Sequence, residues 1–186
     1  MGNLLIGVLA MVMFFTGIVY GAISLGPKIE EGRTAGASAK LLGEMTSAAN
    51  ALNQYRVGTN VWAGSQLGDL SNLVTGGFLA GLPVNPTSAG ILAEPADEAG
   101  LAYSQYVSGG MTTSSFVPKF IVMGFGEDRT ACSWFARQSS YIEKGADVSV
   151  TPRLITDEGM ARAGCFRSQN AIGAAAAGSY VAFVRL

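Results

Sequence analysis

The side chains that most often carry out catalysis are scarce in this chain of 186 residues. It contains no histidine, which is the commonest general base and a frequent metal ligand. The candidate nucleophiles are Ser65 and the adjacent pair Ser139 and Ser140, and no Ser-x-x-Lys motif is present. A serine hydroxyl without a basic partner is a weak nucleophile. These residues are therefore better explained as ordinary loop serines, and we predict that the chain is not an enzyme.

Two further features could bind small ligands. Asp97 and Glu98 are adjacent carboxylates that could contact a cation, although solvated loop acids are much commoner. The peptide Gly124-Phe125-Gly126 follows an apolar run, but it is too short for a phosphate-binding fingerprint. We therefore predict neither a metal site nor a cofactor.

The two cysteines, Cys132 and Cys165, are the remaining reactive side chains. They are too few for a zinc site. If the chain is exported they lie in an oxidising compartment, which favours a disulfide. Closing a loop of this length would stabilise the fold by roughly 3–4 kcal/mol. The other interpretation, two buried free thiols, stays open at this point.

Composition excludes several classes of partner. Charged residues make up 13% of the chain, there are 25 glycines, and the net charge is -1. No basic field indicates nucleic acid, and no polybasic stretch indicates anionic lipid. The surface must be largely neutral and small, which suits packing against copies of the chain and also fits an ordinary secreted domain.

Residues 4–25 contain no charged side chain. As a helix they would extend about 33 Å, enough to span a bilayer. No basic residue precedes them, unlike in a cleavable signal. Lys28 and Arg33 follow and are offset by Glu30 and Glu31, so the charge bias sets orientation weakly. We expect a mature chain from which a short basic leader was already removed.

The next stretch predicts an amphipathic helix, because its apolar residues recur at spacings of 4, 3, 4 and 3. Gly26-Pro27 separates it from the apolar segment. Two interpretations remain: two separate helices, or one helix of about 55 residues with a flexible Gly/Pro section. The predicted stripe consists of Leu41, Met45, Ala48, Leu52 and Tyr55.

The remainder alternates strand and turn patterns and predicts an α+β head. A short helix capped by Ser65 is expected near Leu70 and Leu73. A second helix is expected to start at Asp128 or Thr130. Strands are expected at 101–107, 119–125, 147–154 (an edge strand) and 180–186 (a central strand). Loops are expected in the rest of 58–115 and at 156–179. The predicted domains are an apolar helix (1–27), an amphipathic helical half (28–56) and a globular head (57–186).

This order of features resembles the type IV pilins, specifically the type IVb class that includes toxin-coregulated, bundle-forming and conjugative thin pilins. The resemblance rests on Met1 before an apolar-then-amphipathic helix and on the strand and cysteine-bearing helix in FVPKFIVMGFGEDRTACSWFARQ. The second cysteine in ARAGCFRSQN and the terminal strand SYVAFVRL complete it. It covers the whole chain. It implies the pilin fold, in which a long N-terminal helix packs on an antiparallel sheet and a Cys132–Cys165 disulfide bounds the C-terminal region.

The resemblance also implies a function. The chain would be a structural subunit of an extracellular pilus, with a major subunit favoured over a minor one. Its partners would be copies of itself in a helical filament, an inner-membrane assembly platform, and a prepilin peptidase acting at Met1, the site of N-methylation. It would lie in the inner membrane before assembly. Predicted core-packing residues are Leu4, Leu5, Val8, Met11, Val12, Phe15 and Val19, and predicted flexible positions are Gly21, Gly26 and Pro27.

One departure from the family pattern is specific. Pilins nearly always carry glutamate at the fifth mature position, and this chain has Leu5. Subunit register would then come from apolar packing and Asn3. In related secretion pseudopili, subunits without this glutamate lie at the tip, so Leu5 also fits a minor subunit. The alternative function is a membrane-anchored periplasmic binding domain or enzyme.

Overall fold

The structure is a computed structural model that describes residues 2–59, 70–86, 91–111, 116–159 and 161–186. Among the first 30 residues it describes side chains only at Met11, Met13 and Ile29. The chain divides into two units, Met1–Gly36 and Ala37–Leu186.

A single helix, α1, spans Gly2–Thr59. Gly26 and Pro27 lie inside it, so the prediction of one long helix is confirmed and that of two separate helices is wrong. Pro27 removes one backbone donor, because it has no N–H, and the helix continues beyond it. That Gly21, Gly26 and Pro27 make the helix flexible stays a prediction.

The described residues contain no helix long and apolar enough to cross a membrane. In the predicted anchor, residues 4–25, side chains are described only at Met11 and Met13, which are 66% and 70% exposed. The filament-packing role assigned to Met11 stays a prediction. The same role assigned to Leu4, Leu5, Val8, Val12, Phe15 and Val19 concerns side chains that the structure does not describe, and Met1, the predicted processing site, lies outside the described residues.

The amphipathic part of α1 packs as its spacing predicts. Leu41, Met45, Ala48 and Leu52 are at most 1% exposed. Burying each of the larger side chains stabilises the fold by roughly 1.5–3 kcal/mol. Tyr55 packs edge-on against Phe78 with 5.4 Å between ring centroids. This stripe fixes the helix to the head.

The head contains a four-stranded antiparallel sheet in the order β1-β2-β4-β3. The strands span Glu94–Ala96 (β1), Phe120–Gly126 (β2), Ala163–Arg167 (β3) and Tyr180–Arg185 (β4). The strands predicted at 119–125 and 180–186 are confirmed. As predicted, β4 is central, because it pairs with both β2 and β3. The α+β class is likewise confirmed.

Alternating side chains of the central strands enter two hydrophobic cores. On one face, Ile121 and Ala182 join the α1 stripe and the helix Arg129–Gln138. On the other face, Val122, Phe183 and Phe166 form a second cluster. Both faces of the sheet are therefore covered, which explains why the central strands are apolar on both sides.

The described residues contain three further α-helices, all of them short, and one 3₁₀ helix: α2 spans Ser71–Thr75, α3 spans Tyr103–Ser108, α4 spans Arg129–Gln138, and the 3₁₀ helix spans Ile155–Glu158. Asp128 caps α4, since its Oδ1 accepts a hydrogen bond from the backbone N–H of Ala131 at 2.9 Å. This selects Asp128 over Thr130 as the cap. The cap that Ser65 was predicted to provide lies outside the described residues.

The strand predicted at 101–107 is wrong, because these residues largely form α3. Tyr103 and Tyr106 both pack edge-on against Phe116, with centroids 5.4 and 5.3 Å away. Residues three apart share one face of a helix but lie on opposite faces of a strand. The shared partner, Phe116, is distant in sequence and could not be inferred from the local pattern.

Two further predictions near the C terminus are wrong. The edge strand at 147–154 is irregular, because α4 side chains bind its backbone: Ser133 Oγ accepts from Val148 N–H, and Arg129 Nε donates to Val148 O. The predicted loop 156–179 instead contains β3. Gly164 weakens the strand pattern of β3, yet it is required there because a Cβ would lie 2.6 Å from the Tyr141 ring.

Cys132 in α4 and Cys165 in β3 form the predicted disulfide, with an S–S distance of 2.03 Å and Cα atoms 5.4 Å apart. Both residues are completely buried. The bond therefore joins the cap end of α4 to the sheet through the larger core. It encloses the irregular segment between them.

Removal of this disulfide should lower the free energy of unfolding by roughly 3–4 kcal/mol, because the unfolded chain regains the entropy of a 33-residue loop. We expect Cys132→Ala and Cys165→Ala to lower the thermal midpoint equally, with no further loss in the double variant. In electrophoresis, the native chain should migrate differently with and without reducing agent. Neither single variant should show this difference. Unequal or additive losses would contradict this assignment.

Candidate functional site

The serines considered as nucleophiles have local structural roles or lie outside the description. Ser139 Oγ donates to the carbonyl of Ala136 at 3.0 Å, which closes the end of α4. Ser140 is exposed and has a positive φ of 58°, which places it in a turn. Ser65 lies outside the described residues. The described serines are thus not brought together as a reactive group.

The predicted ligand-binding candidates also serve the fold. Asp97 Oδ1 accepts hydrogen bonds from the N–H groups of Ala99 and Leu101 at 3.0 and 2.8 Å, which closes a turn. A Cβ at Gly124 would lie 2.8 Å from Ala175 Cβ, so this glycine allows a loop to pack on β2. Among the described residues, no group of three His, Cys, Asp or Glu side chains could hold a metal ion.

The face of α1 opposite its buried stripe is an open surface among the described residues. At 100° per residue, Gly43 lies about 160° from Met45 around the helix axis. A Cβ at Gly43 would meet no atom of another element within 4 Å. We call this surface the open α1 face; it consists of the exposed residues Ala39, Lys40, Gly43, Ser47, Asn50 and Gln54.

The open α1 face is suited to contact with another helix. Its side chains are small or uncharged apart from Lys40, and Lys40 already pairs with Glu44 at 3.6 Å. Gly43 and Ser47 stand one turn apart, so a second helix could approach closely between the bulkier side chains. The exposed ion pair between Lys40 and Glu44 contributes little to the stability of the fold. Apart from Lys40, the face therefore presents no charged side chain to a neighbour.

The disulfide-bounded segment is held by ion pairs and side-chain-to-backbone bonds. Arg137 Nη2 lies 2.9 Å from Asp147 Oδ1, and Arg137 Nε donates to the carbonyl of Ala146 at 2.8 Å. The Arg137 guanidinium also stacks on the Trp134 ring at 4.9 Å. Trp134 is accordingly half-buried on the outer side of α4. These contacts hold in place a surface loop that has little regular secondary structure.

Sequence reasoning missed a polar clamp that joins β1, α3 and the loop around 171–174. Glu94 Oε2 accepts from Ser104 N–H at 3.2 Å, and Oε1 accepts from Ala174 N–H at 3.3 Å. Gln105 Oε1 accepts from Gly173 N–H at 2.8 Å. These partners are 10 to 80 residues apart in sequence, so no local pattern could have revealed the clamp.

An open groove of about 640 Å³ lies beside this clamp. Leu82, Leu92 and Val107 contribute much of its apolar lining, and Glu94 is its charged residue among those described. Leu92 and Val107 are about half exposed, at 46% and 50%. The groove is therefore an accessible apolar surface of the head.

Comparison with known proteins identifies no relative of this chain. No family model, no curated protein and no solved structure matches it. We therefore infer a function from the residues and surfaces of the chain itself.

Gly173→Ala should destabilise the head by roughly 1–3 kcal/mol. Gly173 has a φ of +57°, and a Cβ there would collide with the carboxylate of Glu94. Chemical denaturation would measure the loss. Gly81→Ala is the matched control, because Gly81 is exposed and a Cβ there meets nothing within 4 Å. Equal stability of the two variants would contradict the clamp.

Proposed function

We propose that this chain is a structural subunit of an extracellular filament of the type IVb pilus kind. The observation that supports the proposal is the difference between the two sides of α1. Its stripe from Leu41 to Leu52 belongs to the core of the head, while the open α1 face is exposed and carries small or uncharged side chains apart from Lys40. Because one side of α1 is buried in the core of its own head, the other side is available to pack against helices of other copies.

The sequence of the N-terminal unit supports the same proposal. Residues 4–25 are uncharged, so they can be solvated by lipid before assembly and by neighbouring helices afterwards. The apolar side chains would leave lipid without entering water, which keeps the free energy of transfer small. We assign this unit to the inner membrane before assembly and to the filament core in the extracellular pilus.

The proposed assembly uses the partners named above. A prepilin peptidase would cleave before Met1, which is then N-methylated, and an inner-membrane platform would extract the subunit. We expect a helical homo-oligomer without cofactor, metal or nucleic acid. A major subunit is favoured. Because Leu5 cannot supply a carboxylate to a neighbour's amino terminus, register in this filament would come from apolar packing.

The groove beside β1 favours the alternative, a membrane-anchored periplasmic binding domain. Its volume of about 640 Å³ falls within the range of small-molecule pockets. Its described polar groups are few, and the Glu94 carboxylate accepts two backbone hydrogen bonds. The groove therefore offers apolar contact without a convergent set of free polar groups, and we rank it second.

The proposal is tested by shearing cells that express the chain. We expect the chain in the sheared surface fraction, with an N-terminal sequence that begins at a methylated Met1. Recovery of the chain only from the inner membrane, as a monomer, would contradict the assignment to a major pilus subunit. A ligand retained by that monomer would support the binding-domain alternative.

Gly43→Leu should abolish or strongly reduce filaments while leaving the head folded. The added side chain projects into open space in the subunit, but it would hold a neighbouring helix away from the open α1 face. Electron microscopy of sheared material would measure filament number, and disulfide formation in the membrane fraction would report folding. The control is Gly81→Leu, which places the same side chain on an exposed loop. Normal filaments from Gly43→Leu would exclude this face from assembly.

A further inference from the structure

The 3₁₀ helix Ile155–Glu158 ends in a buried carboxyl group with no visible partner. The Glu158 residue is 6% exposed, and neither Oε1 nor Oε2 has a hydrogen-bond partner among the described residues. A buried carboxylate without a partner is strongly unfavourable in its ionised form. The observed position of Glu158 therefore suits the neutral acid.

The Arg185 side chain donates hydrogen bonds to the backbone that follows Glu158. Arg185 Nε donates to the carbonyl of Ala161 at 3.3 Å, and Arg185 Nη2 donates to the carbonyl of Gly159. The backbone N–H of Arg185 donates to the carbonyl of Arg162 at 2.7 Å. No ion pair among the described residues includes Glu158. The cation on β4 thus holds the segment through carbonyl oxygens.

The turn is anchored on one side and has a glycine on the other. Ile155 is 2% exposed and packs against Gly100, where a Cβ would lie 2.8 Å from Ile155 Cγ2. Gly159 has φ 58° and ψ -132°, a conformation that only glycine adopts readily. The backbone can therefore reorient at Gly159 while Ile155 stays in the core.

The turn and the elements next to it carry charged residues of both signs. Burial raises the pKa of Glu158 from 4.5 to about 7, because desolvation penalises the carboxylate. The charged side chains on the turn, on the segments flanking it, on the loop at Gly100 and on the ends of β2 and β4 are Asp97, Glu98, Lys119, Arg153, Asp157, Arg162 and Arg185.

We propose that Glu158 is a proton-controlled latch: its neutral form seats the turn, and its carboxylate competes with the Gly159 and Ala161 carbonyls for Arg185. When the proton passes to solvent, the carboxylate leaves its buried position and the guanidinium exchanges its backbone partners. The Gly159 and Ala161 carbonyls then lose their hydrogen bonds to the Arg185 side chain, while the bond from the Arg185 backbone N–H to the Arg162 carbonyl remains. The structure described here is the latched form.

The direction of the pH effect follows from linkage. The pKa of Glu158 is raised on folding, so the neutral form stabilises the latched state fully below pH 4.5, and this contribution is lost as the pH rises through about 7. The equilibrium constant for opening should therefore increase between these values, by up to ~10²-fold if the whole shift reports on the latch.

Hydrogen exchange of the full chain in detergent micelles tests the latch at pH 5.5 and 8.5. After correction for intrinsic exchange, we expect peptides covering residues 155–162 to open about tenfold or more often at the higher pH. Glu158→Gln, which stays neutral, should remove this difference and retain the low-pH protection. Glu143→Gln, at an exposed position within the same disulfide loop, should behave like the native chain.

Two results would overturn the latch. One is equal corrected exchange of the native segment at both pH values. The other is a pH difference that persists in Glu158→Gln. If Glu158→Gln does not fold, the native comparison still decides the matter, since it needs no variant.

Discussion

The structure depends on the apolar stripe of α1 and its burial against the sheet. Leu41, Met45 and Leu52 enter the larger core together with Ile121 and Ala182, side chains of the two central strands. Because this contact uses one side of the helix, the opposite side is left open along the same length. The stability of the head and the exposure of the face that we propose for assembly therefore follow from one packing arrangement.

The C-terminal half is held by different forces. Much of the segment between α4 and β3 has no regular secondary structure, so its backbone groups need other partners. Arg129, Arg137 and Ser133 on α4 supply several of them, and the disulfide joins the same helix to β3. One short helix thus contributes to the larger core and also holds the surface loop.

The sequence predicted the elements whose pattern is local and periodic. The spacing of apolar residues located the α1 stripe, and long apolar runs located β2 and β4. It failed where contacts outside the local pattern are decisive: Tyr103 and Tyr106 share Phe116 as a packing partner, and position 164 of β3 requires glycine because the Tyr141 ring packs on it. The Glu94 clamp joins residues up to 80 apart, so no sequence window contained it.

We propose that copies of α1 pack together through the open α1 face in a filament. Electron cryo-microscopy of sheared surface material tests it most directly. The account predicts a helical filament of this chain with α1 inside, the heads outside, and Gly43 against a helix of another subunit. A filament in which Gly43 faces solvent, or surface material that lacks the chain altogether, would contradict it.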